Sequence, residues 1–275
     1  MDFKLIAENL ELVDDIWVAK SKTEISYPAE ANENCFQIEE NSFWFQHRNN
    51  CIIEAVKLFA AKGIFYDFGG GNGFVALELE ENGIKTVLVE PGKTGVSNAR
   101  KRGLKNTICA TIEDAGFKSH TLSAVGLFDV VEHIKKDKAL LKLAFELLEP
   151  GGRLFITVPA FNFLWSREDD YAGHFRRYTI KNLRKILVEI GFHVEYATYI
   201  FSVLLFPMFI YRSVPFRLRL IKERSSIEAL KREHHLPKGI VGKLLESTLE
   251  MERKRIRQKK RIPFGSSFLI VAKTG

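Results

Sequence analysis

Cysteine is scarce in this chain: Cys35, Cys51 and Cys109 are widely spaced and contain no C-x-x-C pair. That excludes a disulfide framework and a cysteine-based zinc site, and it fits a reducing, cytoplasmic setting. The start, MDFKLIAENLELVDD, is acidic and lacks a basic stretch followed by an apolar core, so no secretory leader is expected. Long apolar runs are missing as well. YIFSVLLFPMFIYR at 199–212 is broken by Ser202 and Pro207 and falls short of the ~20 residues a spanning helix needs, which leaves a buried or an interfacial helix. No internal repeat, low-complexity tract or appended nucleic-acid-binding module interrupts the sequence.

Positive charge is plentiful but local. Of a net +7, residues 212–262 hold 16 Lys/Arg against 6 Asp/Glu, so the remainder is slightly acidic. A segment of this kind meets lipid headgroups, nucleic acid or an acidic substrate, or is simply a solvated helical surface. It lacks the regular aromatic interleaving of a nucleic-acid groove, so nucleic acid is the least favoured partner. With 275 residues, 46% of them apolar, the chain can bury one large core, and the reading favoured is one domain with an insertion.

From Ile64 onward short apolar runs alternate with longer amphipathic stretches, which predicts strand–helix units and a mainly parallel sheet. Strands are expected at 64–68, 85–90, 106–111, 124–129, 153–159, 193–199 and 266–275, and helices at 74–83, 94–103, 136–152 and 180–191, the last capped by Thr179. About 65 residues separate the last two strands and constitute the insertion, at about 200–264. Residues 1–60 are expected to form an N-terminal helical cap, with an apolar-periodic helix in ENSFWFQHRNNCIIEAVKLF (40–59).

DFGGGNG, Asp67 to Gly73, sits between the first of these strands and its helix. Glycines there let the backbone turn sharply and lie close to a nucleotide-like ligand, although an ordinary tight turn has the same composition. A dinucleotide fingerprint begun at Gly69 would need glycine where Phe74 stands. The spacing is acid-x-Gly-x-Gly-x-Gly. An acid at Asp67 repels phosphate but pairs with a cationic amino group, and Glu90, ending the next strand, suits the two hydroxyls of a ribose. A nucleoside with a cationic amino-acid arm and no phosphates describes S-adenosylmethionine.

At this point the sequence resembles the class I S-adenosylmethionine-dependent methyltransferases, over most of Phe65 to Pro159. The resemblance rests on YDFGGGNG, VLVEPG (88–92 with its preceding Val), ATIED (110–114), GLFDVVEHI (126–134) and LLEPGGRLFITVP (147–159), in the family's order. It implies an α/β, Rossmann-like seven-stranded sheet, mostly parallel with an antiparallel last strand, helices on both faces and a helical insertion before that strand. It further implies that Asp67, Gly69, Gly71 and Gly73 line the methionine arm, that Glu90 and Pro91 lie at the ribose, that Ile112, Glu113 or Asp114 border the adenine, and that Phe128 and Asp129 lie near the sulfonium. The product would be S-adenosylhomocysteine.

In such a fold the residues after the fifth strand cover the methyl group, which places YAGHFRRYT, Tyr171 to Thr179, at the acceptor. His174 is the candidate general base, its ordinary pKa of about 6.5 suiting proton removal near neutrality. Asp169 would orient it or act as the base itself. Arg176 and Arg177 are candidates for gripping a carboxylate or phosphate, and Trp165 and Tyr178 for walling the pocket. The same stretch also reads as a plain helix lead-in with internally paired arginines. Upstream, Trp44, His47 and Arg48 are possible contributors to the acceptor pocket. Glu132 and His133 are adjacent ligand types in VEHI, which resembles ubiquinone-pathway O-methyltransferases, where a divalent ion has been proposed nearby; with no third partner, no metal is assigned.

The pattern W-S-x-x-D … G-H-x-R-R-Y-T also resembles a bacterial subgroup found with cell-surface glycan and lipid-linked sugar enzymes. The expectation is therefore methyl transfer to an oxygen, less readily a nitrogen or carbon, of a small or lipid- or glycan-linked acceptor. An RNA methyltransferase and a non-catalytic, membrane-associated nucleoside-binding protein are the alternatives. Apolar residues at 199–211 followed by the basic run make 199–262 a candidate for peripheral contact with an anionic inner membrane face, the competing reading being a helical lid.

Overall fold

The computed structural model describes residues 3–20, 29–59, 63–220 and 235–275. Continuous apolar runs build its centre. Strands β3 (Phe65–Phe68), β4 (Thr86–Val89), β5 (Thr107–Cys109) and β6 (Leu122–Phe128) are buried at every position, as strands covered on both faces must be. With β7 (Leu148–Pro159) they pair in parallel. β9 (Ser267–Lys273) then runs antiparallel between β7 and β8 (His193–Ile200).

Two further strands come from a segment expected to be part of a helical cap. β1 (Leu10–Val13) and β2 (Ile16–Ala19) form a hairpin, and β2 adds in parallel to β5. Asp14 and Asp15 supply the turn at φ 48° and 60°, the left-handed geometry a two-residue hairpin loop demands. The sheet therefore has nine strands, in the order β1-β2-β5-β4-β3-β6-β7-β9-β8, rather than the seven expected. The expected seven are all present, with the hairpin appended at one edge.

Alternate residues of the strands feed two cores. Tyr66, Phe68, Val125 and Leu127 join Leu140 of helix α5 and Leu183 of helix α7 on one face, while Phe65, Ala124 and Phe155 join Ile52 of α2 and Leu249 of α10 on the other. The helices in chain order are α1 (Ala29–Phe36), α2 (Phe43–Phe59), α3 (Phe74–Glu81), α4 (Lys93–Lys101), α5 (Asp137–Leu147), α6 (Arg167–Ala172), α7 (Ile180–Ile190), α8 (Leu205–Met208), α9 (Val214–Arg217) and α10 (Ile240–Arg257). Thr179 caps α7 as expected, its hydroxyl accepting from the Asn182 N–H at 3.2 Å.

Of the insertion, residues 221–234 lie outside the described residues. α10 is fastened to α2 by His47 and Glu252, 2.9 Å apart, and by Arg253 and Arg257 on Glu54. No helix among the described residues is long and apolar enough to cross a membrane. β4 lies on one side of β3 and β6 on the other, so the strand order reverses at β3. A crevice is expected outside the carboxyl end of a strand at such a switch point.

Candidate active site

The turn after β3 lies at this switch point. Gly69, Gly71 and Gly73 have φ of 68°, 55° and 73°, which non-glycine residues rarely adopt. Close packing reinforces the requirement. A Cβ on Gly73 would lie 2.5 Å from Leu104 Cδ1 and one on Gly69 2.9 Å from Val130 Cγ2.

Two acids bracket the turn. Glu90 Oε2 accepts from the Gly71 N–H at 3.0 Å and Oε1 from the Gly92 N–H at 2.7 Å, so the carboxylate holds the glycine turn against the end of β4. Burial raises its pKa against those two hydrogen bonds. Asp67 is fully buried, and neither of its oxygens has a partner. Burial, opposed by Arg48 and helped by Glu90, pushes it up to about 7. A buried carboxylate with no donor is costly. An ammonium group is the kind of ligand that would relieve it.

The rest of the expected cofactor set is dispersed around the sheet end. Pro91 accepts from the Cys109 thiol at 3.7 Å. Ile112 is buried in the main core, Glu113 is exposed, and the Asp114 carbonyl accepts from Asn9 at 2.6 Å. Phe128 stacks on Phe65 with ring centroids 6.1 Å apart. Asp129 has φ 54°, a left-handed placement uncommon outside glycine and found at functional sites, which aspartate tolerates better than most residues. Its Oδ2 accepts from Arg48 at 2.7 Å and its Oδ1 from the Thr157 hydroxyl at 3.1 Å. Arg48 in turn lies over the Trp44 ring at 5.3 Å, and Trp44 stacks on Phe201. Its charge is felt at Asp67, Asp129 and Glu132, so one guanidinium links the glycine turn with the side of the sheet end that carries Glu132.

On that side, Asp169 organises the cluster. Ser166 and Asp169 form a capping box at the start of α6. Asp169 Oδ1 lies 2.8 Å from His174 Nδ1 and accepts from Arg177 Nε at 2.7 Å; Oδ2 accepts from Arg177 Nη2 at 3.0 Å and the Ser166 N–H at 2.9 Å. Burial alone would raise this carboxyl, but the hydrogen bonds from His174 and Arg177 outweigh it and hold the group at about 2. Arg177 is buried and also reaches the Ala160 carbonyl at 3.1 Å, so both sides of its fork are engaged internally.

The polar cluster thus divides. His174 and Asp169 stand together, whereas Arg176 pairs with Asp137 at 2.7 Å and donates to the Lys135 carbonyl at 2.8 Å. Tyr178 lies in the core with its hydroxyl donating to Asp137 at 2.7 Å. Trp165 donates to Asp170 at 2.9 Å. Arg176, Arg177, Tyr178 and Trp165 therefore brace the loop rather than stand free beside His174, a partnership set by acids that sequence spacing does not identify.

Two residues gain weight from the structure. The His133 and His174 rings meet edge to face at 4.6 Å, and burial together with His174 lowers His133 to about 4. Glu132 is completely buried with neither oxygen partnered, and burial, then Asp129, raises it well above an ordinary glutamate. VEHI marked the first pair. Nothing in the spacing pointed to His174 as their neighbour.

The methyltransferase domain family model matches residues 45–197. The chain belongs to that family. Its sheet, with the antiparallel β9, is the Rossmann-like sheet of class I methyltransferases. A ubiquinone biosynthesis O-methyltransferase of Xanthomonas oryzae pv. oryzae is 26% identical over 97 residues, which is 33% of this chain and 41% of that protein, so the match spans about two fifths of that relative's length. A SAM-dependent methyltransferase of Thermotoga maritima, described as a possible histamine N-methyltransferase, superposes with a TM-score of 0.56 at 18% identity, covering 90% of this chain and 96% of that one. The plantazolicin methyltransferase, solved with a triazolic desmethylPZN analogue and SAH, gives 0.57 at 17% identity over 90% and 92%. At these identities the likeness is one of fold.

Proposed function

We propose that this enzyme transfers the methyl group of S-adenosylmethionine to an oxygen of a small or lipid- or glycan-linked acceptor, releasing S-adenosylhomocysteine. The observation that carries this reading is the unpartnered, buried Asp67 carboxylate beside three left-handed glycines at the switch point of the sheet. That pocket asks for a cation and admits close backbone approach, while its two acids disfavour phosphate.

When bound, the sulfonium supplies an already activated methyl group. Asp67 would hold the ammonium of the methionine arm. Glu90 would exchange one of its backbone partners for ribose hydroxyls. On the opposite side Arg48 fixes Asp129, and His174, positioned by Asp169, acts on the proton of the acceptor hydroxyl. Titration calorimetry with S-adenosylmethionine and S-adenosylhomocysteine tests the cofactor. Binding of neither would refute the reading. Labelled methyl transfer into cell extracts, with products sorted into lipid, glycan, RNA and small-molecule fractions, tests the acceptor class.

The lipid-linked alternative draws on the surface of the insertion. Phe206, Tyr211 and Leu220 are 66%, 75% and 70% exposed, close in sequence to the exposed Arg217 and Arg219. Apolar side chains beside cations suit an anionic leaflet, each well-placed Lys/Arg being worth about 1 kcal/mol. Co-sedimentation with phosphatidylglycerol vesicles at low salt is expected, and its absence would count against docking.

A further inference from the structure

Asn32 stands at the Glu90 end of the glycine turn, although it comes from α1 and not from the sheet. It is 6% exposed. A Cβ on Gly92 would lie 3.2 Å from its Nδ2, and one on Gly71 3.7 Å from its Oδ1. Those are the two glycines whose N–H groups donate to Glu90. The amide therefore lies across the turn, beside the Glu90 carboxylate. We propose that Asn32 is a cofactor-binding residue, its amide sharing the ribose hydroxyls of S-adenosylmethionine with Glu90. This contact rests on the methyl-transfer reading above and adds a residue to that same site.

The amide lacks a partner of its own. Among the described residues only the Asn32 backbone carbonyl is engaged by a side chain, and none hydrogen-bonds to the Asn32 amide. Buried side-chain amides normally find one. Chemical complementarity points the same way. Each ribose hydroxyl has one proton to donate and lone pairs that accept. A carboxylate at Glu90 only accepts, so it takes the two protons and leaves the hydroxyl lone pairs unserved. The Asn32 NH₂ donates, and its carbonyl oxygen accepts. Carboxylate and amide together satisfy a vicinal diol in both senses.

Other groups hold α1 in place, so the amide is positioned without being consumed. Asn72, between Gly71 and Gly73, donates from Nδ2 to the Asn32 carbonyl at 2.8 Å. Its Oδ1 accepts from Asn98 of α4 at 3.0 Å, which ties the turn, α1 and α4 together. Arg102 Nη1 donates to the Asn72 carbonyl at 2.9 Å and to Glu39 at 2.7 Å. The same guanidinium lies over the ring of Phe36, the last residue of α1, at 4.5 Å and over that of Phe74 at 5.2 Å. None of these contacts uses the Asn32 side chain. Truncating it should leave the helix docked and the turn intact, and remove a ligand contact alone.

The test is calorimetry on the full chain with S-adenosylhomocysteine and with its 2′-deoxy and 3′-deoxy analogues. Asn32→Ala is expected to weaken S-adenosylhomocysteine about tenfold. Glu33→Ala, an exposed neighbour on α1, should leave its affinity unchanged. The unfolding midpoint of ligand-free Asn32→Ala should match the parent's, which a structural role would not allow. With the analogue that lacks the hydroxyl Asn32 serves, the difference between parent and Asn32→Ala should vanish. A parent that binds no S-adenosylhomocysteine would sink the methyl-transfer reading and this contact with it. Equal binding by parent and Asn32→Ala, or a tenfold loss that persists with both deoxy analogues, would overturn the Asn32 assignment and leave that reading standing.

Discussion

Nε2 of His47 lies 2.9 Å from Oε2 of Glu252, joining α2 to α10 across 205 residues of sequence. The same carboxylate accepts from the Phe201 and Ser202 N–H groups at 2.8 and 2.7 Å, just past the end of β8. One buried acid thus fastens the end of the insertion to the helix that carries Arg48.

Removing that acid leaves four groups without their partner: the His47 ring, the Phe201 N–H, and the N–H and hydroxyl of Ser202. Glu252→Ala is expected to lower the unfolding free energy by about 3 kcal/mol and Glu252→Gln by about 1–2 kcal/mol, measured by denaturant unfolding. Burial raises the Glu252 pKa, but the hydrogen bonds of His47 and Ser202 prevail and leave it below the ordinary value. A depressed carboxyl stabilises the fold above the ordinary glutamate pKa and loses that contribution as pH falls through its folded pKa. The gap between parent and variant should therefore hold from pH 7 down to about pH 5 and narrow only as pH falls further, through the depressed folded pKa.

Asp67 should behave in the opposite sense. Its pKa of about 7 exceeds the unfolded value, so its ionisation destabilises the ligand-free fold as pH rises from about 4 through 7. Asp67→Asn is expected to raise the thermal midpoint of the ligand-free protein at pH 8, by roughly 1–3 kcal/mol in stability, while abolishing S-adenosylmethionine binding. In the parent, cofactor affinity should fall as pH drops below 7, approaching tenfold per unit, with proton release detectable by calorimetry in buffers of different ionisation enthalpy.

His174 and Asp169 are coupled yet separable. His174→Ala is expected to reduce kcat by about 100-fold or more with S-adenosylhomocysteine affinity unchanged. Asp169→Asn should do the same and also destabilise the fold by about 3–5 kcal/mol, because Arg177 is left buried with a neutral partner. Chemical denaturation of both variants distinguishes them, and equal stability would contradict the Asp169–Arg177 anchor.

Gly73→Ala tests the tight turn. The substitution meets φ 73° and a Cβ contact of 2.8 Å with Ala99 as well as that with Leu104. A loss of about 1–3 kcal/mol is expected by denaturant titration, whereas Gly83→Ala, where no atom lies within 4 Å, should lose only the smaller cost of a positive φ.

Much of the sheet was legible because buried parallel strands read as unbroken apolar runs: FYDF, TVLV and LSAVGLF each stand where expected. The hairpin was not. Its strands are four residues long, and Asp14-Asp15 turns without the glycine that normally announces such a loop. Asp67 and Glu90 were legible because both end strands beside the glycine turn. Arg177 and Tyr178 were readable as members of one polar cluster, but their partners, Asp169 and Asp137, are chosen by packing. Likewise His174 reaches Glu132 and His133 only after β7 has crossed the sheet, a relation no local spacing encodes.

β9 lies between β7 and β8, although it follows both in the chain. During vectorial synthesis β8 therefore has no sheet neighbour until residues 267–273 emerge, and its ladder groups stay open to wrong pairing in the meantime. Clipping that strand would do more than trim an end: it would leave a gap one strand in from the edge, separating β8 from the other strands of the sheet.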